Sequence, residues 1–240
     1  PKTPKPQDFD NILCNYIKFD LTFKIPDLIS DELIATNFSR AITVQMLIKQ
    51  VTRLQPDDTI IITAATGGVG KILSQLASSI GACVIGSIST PEKALLAKSF
   101  GCKYALTYDQ EDFISQIMDV TNGKGEDKVY DSVGLETFDS SEASLRSCGH
   151  LINFGQSSGP TNPMLMSTLA SKSITVSRPI LFHYIANSEI YKKMTNFVFE
   201  AFQSKSIIIP KPEPYNLENA ESAHNILESR KGGGSLYLKP

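Results

Sequence analysis

Thr63-Ala64-Ala65-Thr66-Gly67-Gly68-Val69-Gly70 decides how this chain is read. The stretch leaves an apolar, β-branched run, Thr59–Ala64, that reads as a buried strand. It enters Val69–Ile80, which reads as a helix closed by Gly81. A glycine turn between a buried strand and a helix is where backbone can meet a phosphate. Lacking a Cβ, Gly67 lets the chain approach a pyrophosphate, and Gly70 lets the helix pack close to the strand. The helix start then offers free N–H groups and the positive end of its dipole. Ala65 stands where the first Gly of G-x-G-x-x-G would be, so the match is partial. The alternative is a turn that serves packing alone; the strand–loop–helix context favours the dinucleotide loop. A P-loop is excluded, because Ile72 follows Lys71 where Ser or Thr is required, and Ala65 lies five residues before Gly70.

The same rhythm extends on both sides. Ser30–Val51 has helical spacing, with Ser30 and Asp31 as capping oxygens, and Gln55–Asp58 is a turn. Strands are expected at Ala82–Ile88, Lys103–Tyr108, Lys128–Ser132 and His150–Phe154. Helices are expected at Pro91–Phe100, Asp112–Thr121 and Leu135–Arg146. Short strands alternating with helices imply an α/β fold, a Rossmann-type doubly wound parallel sheet with helices on both faces. After Phe154 the rhythm breaks into a loop, Gly155–Pro163. A strand at Ser173–Val176, a helix at Asn187–Ser204 and a short apolar run at Ile207–Ile209 follow. An amphipathic helix is expected at Asn216–Arg230, with Ala220, Ala223 and Leu227 facing the core, and a strand at Ser235–Leu238.

Composition narrows the function classes. Of 240 residues, 41 % are hydrophobic and 20 % charged, which excludes a disordered chain. With 23 Lys+Arg against 25 Asp+Glu, the net charge of −2 argues against a nucleic-acid surface. No apolar run approaches the ~18–20 residues of a membrane span. Cys14, Cys83, Cys102 and Cys148 form no C-x-x-C, so neither a disulfide framework nor a metal site is expected. A reducing, cytoplasmic setting fits best. The start, Pro1-Lys2-Thr3-Pro4-Lys5-Pro6, reads as a linker or as a chain cut from something longer.

Cofactor choice is written at the end of the second strand. An NAD site places a carboxylate there for the ribose 2′-hydroxyl. Here the residues are Ser87-Ile88-Ser89-Thr90-Pro91-Glu92-Lys93. Ser89, Thr90 and Lys93 suit a 2′-phosphate, and Glu92 is expected to face solvent. NADPH is therefore the expected cofactor.

Other motifs compete. Gly155-Gln156-Ser157-Ser158-Gly159 fits the G-x-S-x-G nucleophile elbow. Pro160 and Pro163 oppose the required helix, no Asp follows Asp139, and Glu189 with His224 would have to serve. A loop at the carboxyl end of a parallel strand, against the cofactor, is the better reading. Asp131-Ser132-Val133-Gly134 sits at another strand end, either in the cofactor cleft or as an Asx turn. His150 and His224 read as structural, and His183 stays open.

Taken together, these segments resemble the zeta-crystallin-like quinone oxidoreductases of the medium-chain dehydrogenase/reductase superfamily. The resemblance runs from about Ile25 to the C-terminus. It rests on Ala64–Gly70, Tyr130–Gly134, Phe154–Gly159, Ser177-Arg178-Pro179 and Glu228-Ser229-Arg230-Lys231, in order. It implies that Thr43 lies near the nicotinamide and that Gly68 and Val69 meet the pyrophosphate. Ser89 through Lys93 would hold the 2′-phosphate, with Tyr108 beside the adenosine end. Ser132, Val133, Phe154, Gly155, Ser157, Pro179 and Leu181 would line the cleft, and Arg230 would reach in from the C-terminal side. Met46 stands where a Tyr is often found. The resemblance also implies a zinc-independent homodimer built through sheet edges. About the first quarter of such a protein, most of a GroES-like β domain, has no counterpart here.

The expected organisation is 1–29 as linker and GroES-like remnant, 30–180 as the Rossmann NADP-binding domain, and 181–240 as its end with the return to the catalytic domain. The expected activity is NADPH-dependent reduction of quinones. The alternatives are reduction of an enone or enoyl thioester on the same scaffold, and a non-catalytic NADPH-binding protein of RNA-binding or structural type.

Overall fold

The computed structural model describes residues 22–108, 111–229 and 235–239. Six strands form one parallel sheet: β1 (Thr59–Ile62), β2 (Cys83–Ile88), β3 (Tyr104–Thr107), β4 (Glu126–Asp131), β5 (Leu145–Asn153) and β6 (Thr175–Ser177). Their order is β3-β2-β1-β4-β5-β6, that of a dinucleotide-binding doubly wound sheet. The α/β, Rossmann-type expectation holds.

Strand alternation builds two cores. Ile60 and Ile62 of β1 join one cluster while Ile61 joins the other. Likewise Val84 parts from Ile85, Tyr130 from Val129, and Ile152 from Leu151. Successive side chains point to opposite faces, so a strand covered on both sides must be apolar throughout. Helix α1 (Asp31–Gln45) and helix α2 (Gly70–Ile80) cover the first face, joined there by α8 (Ser188–Gln203). Helices α4 (Phe113–Val120) and α5 (Phe138–Ser144) supply Phe113, Ile117 and Phe138 to the second. Helix α3 (Ala94–Ser99) joins β2 to β3, and the short helices α6 (Met166–Ala170) and α7 (Leu181–Tyr184) flank β6.

Helix ends obey local chemistry. Ser30 Oγ accepts from Leu33 N at 3.3 Å at the start of α1. Gly81, at φ 104, closes α2, and Asn187 Oδ1 accepts from Glu189 N and Ile190 N to start α8.

Several boundaries differ from the sequence expectation. The helix expected through Val51 widens to π geometry over Met46–Val51; there Thr52 N and Thr52 Oγ1 both reach Leu47 O. Pro91–Lys93 is a 3-10 turn rather than α-helix. The helix expected at Leu135–Arg146 covers only α5. Leu145 turns extended, is buried, and pairs with Glu126 as the first residue of β5. His150 is thus mid-strand, its Nε2 2.8 Å from Ser177 Oγ.

The C-terminal part differs as well. Asn216 ends a strand, β7 (Glu213–Asn216), that pairs in parallel with β8 (Leu236–Lys239). Pro214 hides β7 from a sequence reading but is tolerated at an edge. A 3-10 turn, Leu217–Asn219, precedes α9 (Ala220–Glu228). Within α9 Ala223 is buried, whereas Leu227 is 48 % exposed rather than facing the core: so short a helix over a two-stranded sheet has little surface to cover it.

Candidate functional site

The carboxyl ends of β1 and β4 adjoin where the sheet reverses its direction of growth, the position at which doubly wound sheets take their ligands. The turn after β1 is tight. Ala64 adopts φ 48, a left-handed conformation that costs a non-glycine residue about 1–3 kcal/mol. Its carbonyl accepts from Gly67 N at 2.8 Å. A Cβ on Gly70 would collide with that same oxygen, and one on Gly67 would come within 3.0 Å of it. A Cβ on Gly68 would lie 2.7 Å from Arg40 Nε. Val69 occupies the N-cap of α2 with no side-chain cap bond, so the positive end of the helix is not neutralised by its own residues.

At the end of β2, Lys93 Nζ donates to Ser89 Oγ at 2.8 Å. Thr90, just before the 3-10 turn, hydrogen-bonds Glu92; that bond and one from its own backbone hold the Glu92 carboxyl below its usual range. Glu92 is exposed, as expected. From the end of β3, Tyr108 OH donates to Glu136 Oε2 at 3.3 Å, linking it to the loop after β4.

That loop is organised by Asp131, which is 0 % exposed. Its Oδ1 accepts from Thr63 Oγ1 (3.1 Å), Thr137 Oγ1 (2.7 Å), Val133 N (3.0 Å) and Gly134 N (3.3 Å), and its Oδ2 accepts from Asn153 Nδ2 (2.9 Å). The Asx turn is present, but the side chain does more: it ties the ends of β1, β4 and β5 together. The loop after β5 docks on the same unit. Phe154 N reaches Asp131 O at 2.8 Å and Ser157 N reaches Ser132 O at 3.2 Å. A Cβ on Gly155 would lie 2.7 Å from Ser132 O. Ser157 lies in a loop that no helix follows directly, so it does not sit on a nucleophile elbow.

Ser132, Val133, Phe154, Gly155 and Ser157 are thus brought together, and Gly67, Gly68, Val69 and Gly70 lie on the neighbouring loop. Pro179 is buried and Leu181 opens α7. Arg178 Nη1 donates to Asn153 O at 3.1 Å, and a concavity of about 370 Å³ is lined by Arg178, Pro179, Ile180, His183 and Tyr184. Thr43 is half-buried on α1, its hydroxyl donating to Ser39 O at 2.8 Å. Arg230 lies outside the described residues.

Two basic residues escape a sequence reading. Lys71 is 1 % exposed. Burial, and then the charge of Arg40, push its ammonium down to about 8. Burial also lowers the Arg40 guanidinium. Both reach Ser235 Oγ, Arg40 Nη1 at 2.6 Å and Lys71 Nζ at 3.5 Å. Only the adjacency of Lys71 to Gly70 hints at this, and the sequence gives no sign of the contact from α1.

Among the described residues, no three His, Cys, Asp or Glu side chains are placed to share a metal ion, and no helix is long and apolar enough to cross a membrane.

Comparison with known proteins agrees with this geometry. The zinc-binding dehydrogenase family model matches residues 68–200. Quinone oxidoreductase 1 of Escherichia coli K12 is 35 % identical over 219 residues, covering 90 % of this chain and 67 % of that protein. The 2-haloacrylate reductase of a Burkholderia species is 34 % identical over 221 residues, covering 90 % and 66 %. The crystal structure of Escherichia coli quinone oxidoreductase complexed with NADPH aligns with a TM-score of 0.87 at 35 % identity, covering 92 % of this chain and 69 % of that one. The chain therefore spans about two thirds of the length of these relatives. A Rossmann sheet in this strand order, a tight glycine turn at its switch point and similarity along nine tenths of the chain have one explanation: the chain belongs to the quinone oxidoreductases of the medium-chain dehydrogenase/reductase superfamily.

Proposed function

We propose that this chain is the cofactor-binding part of an NADPH-dependent quinone reductase. The observation that carries the reading is the Lys93–Ser89 pair at the end of β2, where an NAD site would place a carboxylate. The glycine turn fits the rest of the dinucleotide, since a Cβ on Gly70 would collide with Ala64 O and one on Gly67 would be tight against it, leaving bare backbone at the turn. NADPH, when bound, supplies the hydride.

The chain's own residues bind and orient. Ser89, Thr90 and Lys93 hold the 2′-phosphate, with Tyr108 beside the adenosine. Gly67, Gly68, Val69 and Gly70 receive the pyrophosphate. Ser132, Val133, Phe154, Gly155, Ser157, Pro179 and Leu181 wall the cleft toward Thr43. A quinone oxygen can take its proton from solvent, so positioning a flat acceptor against the nicotinamide is the main task. The reading includes zinc independence, a cytoplasmic homodimer and the division 1–29, 30–180 and 181–240. The packing of α8 on α1 supports counting 188–203 with the sheet.

The test is NADPH oxidation with a simple quinone, run beside NADPH binding on the same sample. Turnover supports the reading, and binding without turnover favours a non-catalytic binder. The match to 2-haloacrylate reductase favours a second reading, reduction of an activated alkene. Rates with quinone, enone and enoyl acceptors on the same scaffold separate the two.

A further inference from the structure

Arg40 and Lys71 are an electrostatic anomaly. Lys71 is buried and Arg40 half-buried, and their nearest shared partner is a neutral hydroxyl, Ser235 Oγ. Ser235 Oγ in turn donates to Asn37 Oδ1 at 3.1 Å, and Arg40 Nη1 reaches that amide oxygen at 3.4 Å. Among the described residues, the ion pairs are Lys24–Asp27, Lys128–Asp58, Arg146–Asp127 and Lys192–Glu189; none includes Arg40 or Lys71. Among the described residues, the charge that perturbs Lys71 is the like charge of Arg40. Two adjacent cations without a carboxylate are costly in a protein interior. Such an arrangement suits the binding of an anion.

Their position indicates which anion. Arg40 rises from α1 against the face of Gly68, where a Cβ would meet Nε, Cζ and Cδ at 2.7–3.1 Å. Lys71 is the second residue of α2, beside the uncapped positive end of the helix dipole. Both charges therefore border the turn that receives the pyrophosphate in the proposed function, on which this inference rests. They are remote in role from Lys93 and Ser89, which address the 2′-phosphate.

We propose that Arg40 and Lys71 supply the positive charge that neutralises the dinucleotide pyrophosphate from the α1–α2 side of the glycine turn. They act as positioning residues and take no part in hydride transfer. In the apo protein no carboxylate among the described residues pairs with the two charges, and the bound pyrophosphate balances them. Cofactor affinity is therefore obtained at the expense of apo stability, with opposite signs in the two states.

This sign opposition gives the test, carried out on the whole chain with NADPH and adenosine 2′-monophosphate as probes. The second probe reports the 2′-phosphate subsite and contains no pyrophosphate. Lys71→Met, of similar volume, is expected to raise the apo melting temperature while weakening NADPH roughly tenfold or more. Arg40→Gln is expected to weaken NADPH similarly, with Arg40→Lys retaining most of the affinity. In every variant, adenosine 2′-monophosphate should bind as it does to the wild type. NADPH affinity unchanged in both Lys71→Met and Arg40→Gln would overturn the proposal. So would parallel losses for the two probes, which would mean that the pair merely holds the fold. Failure of the wild type to bind NADPH would instead strike the cofactor reading itself.

Discussion

Lys93 Nζ and Ser89 Oγ lie 2.8 Å apart at the end of β2, one turn of chain between them and no carboxylate in the pair. A charge-assisted bond to a 2′-phosphate contributes about 1.5–3 kcal/mol. Lys93→Ala is therefore expected to weaken NADPH by roughly tenfold to a hundredfold and to leave NADH nearly unchanged. Fluorescence titration with both cofactors checks this, and equal losses for the two would show that Lys93 does not read the phosphate.

Gly70 has no freedom to gain a side chain, because a Cβ would meet the carbonyl oxygen of Ala64 and the backbone of Ala65. The neighbours are main chain and cannot rotate away. Gly70→Ala should destabilise the fold by about 1–3 kcal/mol and reduce NADPH affinity, since the turn must open to accept it. Thermal unfolding with and without NADPH measures both effects.

Asp131 accepts five hydrogen bonds, from Thr63 after β1, from Val133, Gly134 and Thr137 after β4, and from Asn153 at the end of β5. Asp131→Ala leaves buried donors unpaired, each at about 1–3 kcal/mol, so a loss on the order of 3 kcal/mol or more is expected. The loops after β4 and β5 should exchange amide protons faster than α2. Hydrogen exchange resolves this regional difference, and a uniform change would contradict the role of Asp131 as a local tie.

Much of this is legible in the sequence. The apolar strands, the glycine turn and Gly81 announce β1 and α2, because fully buried parallel strands and left-handed helix ends leave few residue choices. The missing carboxylate after β2 was equally readable. Leu145 was not, since its extended conformation is set by pairing with Glu126, a contact that no local window contains. β7 was hidden by Pro214. Asp131 was visible as an Asx turn, but its links to Thr63 and Asn153 arise from strand adjacency. Arg40 and Lys71 are 31 positions apart, and only the packing of α1 on α2 brings them together.

Glu126 gives a pH signature away from the cofactor site. It is 0 % exposed, and burial, only partly offset by a hydrogen bond from Ser144 Oγ, pushes its carboxyl up to about 7 from 4.5. Between these values the folded chain holds a proton that the unfolded chain has released. The contribution of Glu126 to stability is therefore fully present below about pH 4.5 and declines as pH rises through 7. The span corresponds to on the order of 3 kcal/mol. Glu126→Gln should flatten this dependence, so that the variant gains on the wild type between pH 5 and pH 8. Denaturant midpoints at the two pH values test it, and parallel shifts would contradict it.

The central claim is that the turn from Gly67 to Gly70, with Ser89 and Lys93, forms an NADPH site. Isothermal titration of the chain with NADPH and then NADH tests it most directly. The account predicts one NADPH per chain, bound on the order of a hundredfold more tightly than NADH. Absence of NADPH binding, or equal affinity for the two nucleotides, would contradict it.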